Sequence, residues 1–227
     1  SKAPTLKEAL EESGFTVNST LWDFYATGAG SSYRKEVPNA SGEGDFAVNE
    51  VPQSVFTDSV KNSLNNDDVG IVVWGRNGGE SADIPTTPLA SGYLYLEPDK
   101  DELDTLALAC EKFDKVILLI NANNPMELGV LDDPAYANVK AAMWVGGVGQ
   151  EGMYAIGEIL NGNVNPSGRL VDTYAYDSLS APSAYNMGSF DITNSAEVTD
   201  YANNASHYIV YQEGVYVGYR YYETRYE

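Results

Sequence analysis

The chain has 227 residues with 33 acidic against 13 basic side chains, a formal charge of −20. That balance argues against a nucleic-acid partner, which needs clustered Lys and Arg to meet phosphates. The length suits one domain spanning residues 1–227, the 43% apolar fraction is ordinary for a globular protein, and no apolar run is long enough to cross a bilayer. A single Cys and a single His exclude a Cys/His zinc site and a disulfide framework within the chain.

Residues 4–13 read as a helix, with Pro4 near its first turn, Leu6, Ala9 and Leu10 on one face, and Gly14 as the stop. Residues 15–17 read as a short strand. Residues 18–52 are rich in Gly, Ser, Asn and aromatics without a sustained period, and read as a long loop. Ser54 is placed to cap a helix running to about residue 64, with Phe56, Val60 and Leu64 four apart. Residues 69–75, VGIVVWG, form a continuous apolar run of the kind buried on both faces of a parallel sheet. A glycine-rich turn follows over residues 75–83, with Glu80 and Asp83 three positions apart. Functional groups in open α/β sheets collect at such carboxyl ends of strands.

A helix is expected over residues 99–113, with Cys110 on its apolar face, and a second buried strand over 115–121. A short helical piece over 126–131 and a strand over 141–145 come next. Met153, Ile156, Ile159 and Leu160 then share a helical face that Gly162 ends, and the turn 165–168 leads into a strand over 169–174. Residues 178–207 lack a period and read as a second long loop. Residues 208–226, crowded with Tyr, read as a strand-like tail. Alternation of apolar strands with amphipathic helices gives the fold class: a three-layer α/β/α sandwich with a mostly parallel, doubly wound sheet. The chain begins Ser1-Lys2-Ala3-Pro4 and stops at Glu227 inside an aromatic run, so it reads as a segment of a longer protein.

The chemistry-bearing patterns are few. The acidic groups over 65–68 and 131–133 lack the alternating ligands and central Gly of a calcium loop, and no metal or other cofactor is expected. His207 has no G-x-S-x-G elbow to serve. Gly147-x-Gly149-x-x-Gly152 follows an apolar run and opens a helix, with Asp172 twenty residues beyond Gly152. That arrangement suits a dinucleotide-binding turn in a Rossmann-like domain. It suits equally a sharp strand-to-helix turn whose glycines serve the backbone alone. A third reading is a non-catalytic scaffold or interaction domain that uses the Tyr-rich tail.

Two longer stretches carry a resemblance. Trp144-x-Gly146-Gly147-x-Gly149-Gln150-Glu151-Gly152, continuing through Glu158-Ile159-Leu160-x-Gly162 to Asn165-Pro166-Ser167-Gly168-Arg169-Leu170, resembles a segment of the second domain of family 3 glycoside hydrolases. The stretch from Tyr211 to Thr224, containing Glu213-Gly214, Tyr216-Val217-Gly218-Tyr219-Arg220-Tyr221-Tyr222-Glu223, is similar to another. The resemblance implies an α/β sandwich beside a barrel domain of the same protein, acting on a β-glucoside or β-linked oligosaccharide. In that family an Asp on the barrel is the nucleophile, and a Glu on a sandwich loop is commonly the general acid/base. Gly79-Glu80-x-x-Asp83 resembles that acidic loop and makes Glu80 the candidate, against a solvated loop carboxylate. Asp83 either raises the pKa of Glu80 by like-charge repulsion or holds the loop by hydrogen bonds. Arg76 either orients the loop or is a surface cation. Trp22, with Phe24 and Tyr25, either lines a sugar subsite or pins its own loop to the surface.

Overall fold

The computed structural model describes residues 3–34, 46–78, 83–186, 190–194 and 207–225. Helix α1 (Leu6–Glu12) begins with a reciprocal cap: Thr5 Oγ1 accepts from the Glu8 N–H at 3.1 Å, and the Glu8 carboxylate accepts from the Thr5 N–H at 2.6 Å. Gly14, at φ +91°, takes the left-handed conformation that stops it. Residues 15–17 run without pairing into any sheet. The expected loop over 18–52 contains helix α2 (Ser19–Ala26) and a 3₁₀ turn at Ala29–Tyr33. Weak helix formers concealed α2. It is held by Asn18, whose side chain accepts from the Leu21 N–H at 3.0 Å, and by Phe24, buried against Phe56 with ring centroids 4.6 Å apart.

Helix α3 (Asp58–Ser63) starts later than the sequence suggests. Gln53–Val55 form a 3₁₀ turn and Phe56 is extended, so the cap is Thr57 and not Ser54. Strand β1 (Gly70–Arg76), helix α4 (Lys100–Lys112) and strand β2 (Val116–Ala122) form a βαβ unit, and strand β3 (Val139–Trp144) adds to β2. All three strands are parallel in the order β1-β2-β3, with Arg76 opposite Ala122 and Ile120 opposite Trp144. The fold class read from the sequence, α/β with a parallel sheet, is the one observed. Helix α4 begins at an Asp99–Glu102 capping box. Its inner face packs on the sheet through Leu106, Ala109 and Cys110, joined by Phe113 at its C-cap, in one cluster with Val72, Trp74, Leu118 and Ile120. A second cluster joins Phe24, Val51, Phe56, Val60 and Leu108.

Between β2 and β3 the expected helical piece is only a 3₁₀ turn, Gly129–Asp132. Helix α5 (Gly152–Leu160) ends at Gly162, φ +83°, as its sequence indicates. The expected strand over 169–174 does not form. Leu170 and Val171 are 58% and 84% exposed and pair with no described strand, so the extended run lacks a ladder to join. Within the 178–207 excursion lie helix α6 (Pro182–Asn186) and strand β4 (Phe190–Asp191), which pairs antiparallel with β5 (His207–Tyr208). The Tyr-rich tail is not a strand beyond Tyr208. Gly214 and Gly218, at φ +58° and +56°, break the extended run, and the Gly218 carbonyl accepts from Tyr221 N–H at 3.1 Å as helix α7 (Tyr219–Arg225) begins. Among the described residues no helix is long and apolar enough to cross a membrane.

Helices α1 and α5 pack closely, and the contact depends on one missing side chain. A Cβ on Gly157 would lie 2.2 Å from Ser13 Oγ and 2.7 Å from the Ala9 carbonyl oxygen. Ser13 Oγ donates to Glu158 at 3.4 Å, and Asn161 Nδ2 donates to the Ser13 carbonyl at 3.1 Å, so α1 has little room to retreat. Gly157→Ala is expected to destabilise the domain by about 1–3 kcal/mol, the usual cost of overpacking. Urea denaturation monitored by Trp fluorescence checks this.

Candidate functional site

Strand β1 alternates so that Val72, Trp74 and Arg76 are all buried. The first two meet α4 within the core; the third brings a charge into it. The Arg76 side chain is fully enclosed, and a charge so placed must be paired and hydrogen-bonded. Glu102, in the first turn of α4, supplies a bidentate partner: Nη1 to Oε1 at 2.6 Å and Nη2 to Oε2 at 2.7 Å. Nε donates to the Tyr95 carbonyl, Nη1 to the Gly75 carbonyl at 2.8 Å, and Nη2 to the Glu97 carbonyl at 2.9 Å. All five guanidinium N–H donors are thereby used. Arg76 is therefore not a surface cation. It joins the end of β1 to the start of α4 and to the segment 94–97.

The chain leaving β1 meets a second anchor. Tyr95 is fully buried, its ring lies 5.6 Å from the Arg76 guanidinium, and its hydroxyl accepts the Asn77 N–H at 2.6 Å while donating to the Asn77 carbonyl at 2.9 Å. Both backbone polar groups of the first residue after the strand are thus held by one side chain. The carboxyl ends of the neighbouring strands are tied as well. Asn121 Nδ2 donates to the Gly146 carbonyl and Trp144 Nε1 to the Ala122 carbonyl, each at 2.6 Å. Asn124 lies near Gly78, its buried Oδ1 without a partner among the described residues and 3.8 Å from where a Cβ on Gly78 would stand.

Of the residues singled out by sequence, Arg76 is the last residue of β1 and Asp83 is exposed. Glu80 lies outside the described residues. Trp22 is half-buried on α2. Tyr95, Glu102 and Glu50 were not singled out. Glu102 had a readable signal, because Asp99-x-x-Glu102 before an apolar helix is a capping-box spacing. The other two carried none, since only tertiary packing brings them to the site.

Glu50 adds an acidic group beside this network. Its Oε1 accepts from the Val51 N–H at 2.8 Å and from Tyr25 Oη at 3.3 Å, and it follows Asn49, which is left-handed at φ +55°. Burial first, then the negative charges of Glu102 and Asp99, push its pKa up to about 7. Burial, followed by the charge of Glu50, raises Tyr25 as well. Because the folded pKa of Glu50 lies above its unfolded value of 4.5, the folded chain binds this proton more tightly. Its contribution is fully present below pH 4.5 and is lost as pH rises through 7. Glu50→Gln is expected to remove roughly 3 kcal/mol of the stability lost between pH 4.5 and 8, read by urea denaturation across that range.

The stretch after β3 is a strand–turn–helix with Gly146 and Gly149 at φ +53° and +63°. The model of the glycosyl hydrolase family 3 C-terminal domain matches residues 5–219, a span that includes this turn, the segment 77–83 and the tail as far as Tyr219. The chain belongs to that family. It is 28% identical to a β-glucosidase of Ruminococcus albus over 98% of its length and 21% of the relative's, and 26% identical to one of Rhizobium radiobacter over 92% and 24%. It superposes on a β-glucosidase structure from Paenibacillus barengoltzii with a TM-score of 0.73 at 26% identity, covering 98% of this chain and 22% of that one. The fold is shared also with β-glucosidase 3B of Thermotoga neapolitana, at a TM-score of 0.68 and 23% identity, covering 98% and 28%. The chain thus spans between a fifth and a quarter of the two curated relatives' length. As a family 3 C-terminal domain, it uses the glycines after β3 to turn the chain into α5. Asp172, expected at a strand end where it would meet a ribose, is instead exposed on an irregular segment.

Proposed function

We propose that this domain completes the active site of a retaining β-glycosidase of the β-glucosidase type, one that hydrolyses terminal β-D-glucosyl residues of β-glucosides or β-linked oligosaccharides. Glu80 is the general acid/base. The nucleophile is an Asp on a barrel domain of the same protein, outside this sequence. Arg76 and Asp83 support the loop that carries Glu80, and Trp22 contributes to a sugar subsite. The observation that carries the reading is the acidic sequence Gly79-Glu80-x-x-Asp83 following β1 in a family 3 C-terminal domain whose relatives are β-glucosidases. The buried Arg76–Glu102 pair at the end of β1 supports the same reading, since a group that must meet a glycosidic oxygen within a fraction of an ångström needs a fixed base.

Retaining hydrolysis uses two carboxyl groups about 5–5.5 Å apart, on either side of the bond to be broken. In the first step Glu80, protonated, donates its proton to the glycosidic oxygen as the C1–O bond breaks and the barrel Asp bonds to C1. In the second, Glu80 as carboxylate takes a proton from water, whose oxygen attacks C1 and releases the Asp. Glu80 is therefore needed in both protonation states, which an adjoining domain favours by partly desolvating it.

In the intact enzyme, Glu80→Ala is expected to lower kcat/KM for substrates with poor leaving groups by about 10²–10⁴, the usual worth of a positioned acid. Activated aryl glucosides are expected to lose much less in their first step, and azide to restore turnover by replacing the missing base. Steady-state kinetics on the two substrate types check this; equal losses and no azide effect would reject Glu80 as the acid/base.

A further inference from the structure

The chain between α5 and α6 pairs into no strand, yet it is fastened to the domain at three points. Ser178 N–H donates to Glu127 Oε1 at 2.7 Å, and Ser180 Oγ and Tyr222 Oη share a hydrogen bond of 2.8 Å. The Tyr176 ring occupies the space that a Cβ on Gly129 would need, and its hydroxyl donates to the Asp132 carboxylate. Segment 172–183 is thus pinned to the β2–β3 connection on one side and to α7 on the other. Between these attachments it leaves a cavity of about 220 Å³. A water takes roughly 30 Å³ of the liquid, so the space suits a ligand the size of a single sugar ring better than one or two ordered waters.

The lining selects the ligand. Met126, a core residue, and Tyr222 give the cavity apolar surface, Glu127 and Asp172 bring carboxylates, and Thr173 and Ser183 bring hydroxyls. None of the residues lining it is cationic, so an anion would meet only repulsion. Carboxylates only accept hydrogen bonds, whereas hydroxyls donate and accept. An ammonium ligand, which only donates, would leave the hydroxyl hydrogens unmatched; a polyol meets both kinds of group. Two carboxylates are fewer oxygens than calcium takes, and among the described residues no group of three or more His, Cys, Asp or Glu side chains could hold a metal ion. We infer that this cavity binds one unit of a neutral sugar, with Asp172 and Glu127 accepting its hydroxyl hydrogens and Met126 and Tyr222 meeting its C–H surface. The site uses none of the residues assigned to the acid/base reaction; only the choice of glucose as the sugar rests on the β-glucosidase reading.

The test is glucose binding by the intact enzyme after its nucleophile has been blocked with an irreversible glucose-configured inhibitor, followed by calorimetry and saturation-transfer NMR. One glucose per chain is expected to bind with a Kd on the order of millimolar, the range open to a ligand of about a dozen heavy atoms. Asp172→Ala, at an exposed position, is expected to weaken binding about tenfold. Ala181→Leu, which fills the cavity without removing a polar group, is expected to abolish it. Thermal denaturation without sugar checks that both variants fold; if Ala181→Leu does not, Asp172→Ala decides the matter alone. Absence of saturable binding in the blocked enzyme, or binding that Asp172→Ala leaves unchanged, would overturn the inference. Failure of the inhibitor to label the enzyme would instead count against the glycosidase reading, and glucose binding is then judged on the unlabelled enzyme by the same variants and the same two outcomes.

Discussion

The bidentate contact between Arg76 and Glu102 is the constraint on which the architecture around the site depends. It removes two full charges from water, which is costly, and is sustained only because every guanidinium donor and both carboxylate oxygens find partners. In return it fixes three pieces of chain: the end of β1, the first turn of α4 and the segment 94–97. Removing either partner alone would leave an uncompensated buried charge, a loss on the order of 3–5 kcal/mol. An apolar pair would hold the core at least as well, so the charges are better explained by what they orient. They hold the end of β1, and at the next residue the Tyr95 hydroxyl holds both backbone polar groups of Asn77.

Glu50 gives this arrangement its response to pH. Three carboxylates, Glu50, Asp99 and Glu102, share one buried neighbourhood with one guanidinium. Glu102 is matched by Arg76, and Asp99 caps α4 by accepting the Glu102 N–H. Among the described residues Glu50 is met only by a backbone N–H and a phenol, so it is the member that holds a proton into the neutral range.

Much of this molecule was legible before any coordinates. The apolar runs 69–75 and 115–121 became β1 and β2 within one residue, because a buried parallel strand is apolar on both faces and resembles little else. Helix α4 announced itself through Asp99 and its apolar face. What failed were segments whose state is set by distant neighbours. Helix α2 exists because Phe24 reaches Phe56, while 169–174 is apolar enough for a strand but has no ladder to enter. The Tyr-rich tail was misread because two glycines at positive φ outweigh the strand preference of the tyrosines between them. Within the site, Arg76 was visible as a residue but not as a buried one, and Tyr95 was invisible, since no spacing rule joins residue 95 to residue 77. The glycine-rich stretch after β3 carries a resemblance to the family, and the chemistry is proposed to lie in the segment after β1.

The most direct measurement of the central claim is the structure of the intact enzyme with a glucose-configured covalent inhibitor bound to its nucleophile. The account predicts that the Glu80 carboxyl lies about 5–5.5 Å from that nucleophile carboxyl, across the sugar anomeric centre. It also predicts that Asn77 is still held by the Tyr95 hydroxyl. A Glu80 side chain turned away into solvent, with another carboxyl group in that place, would contradict it.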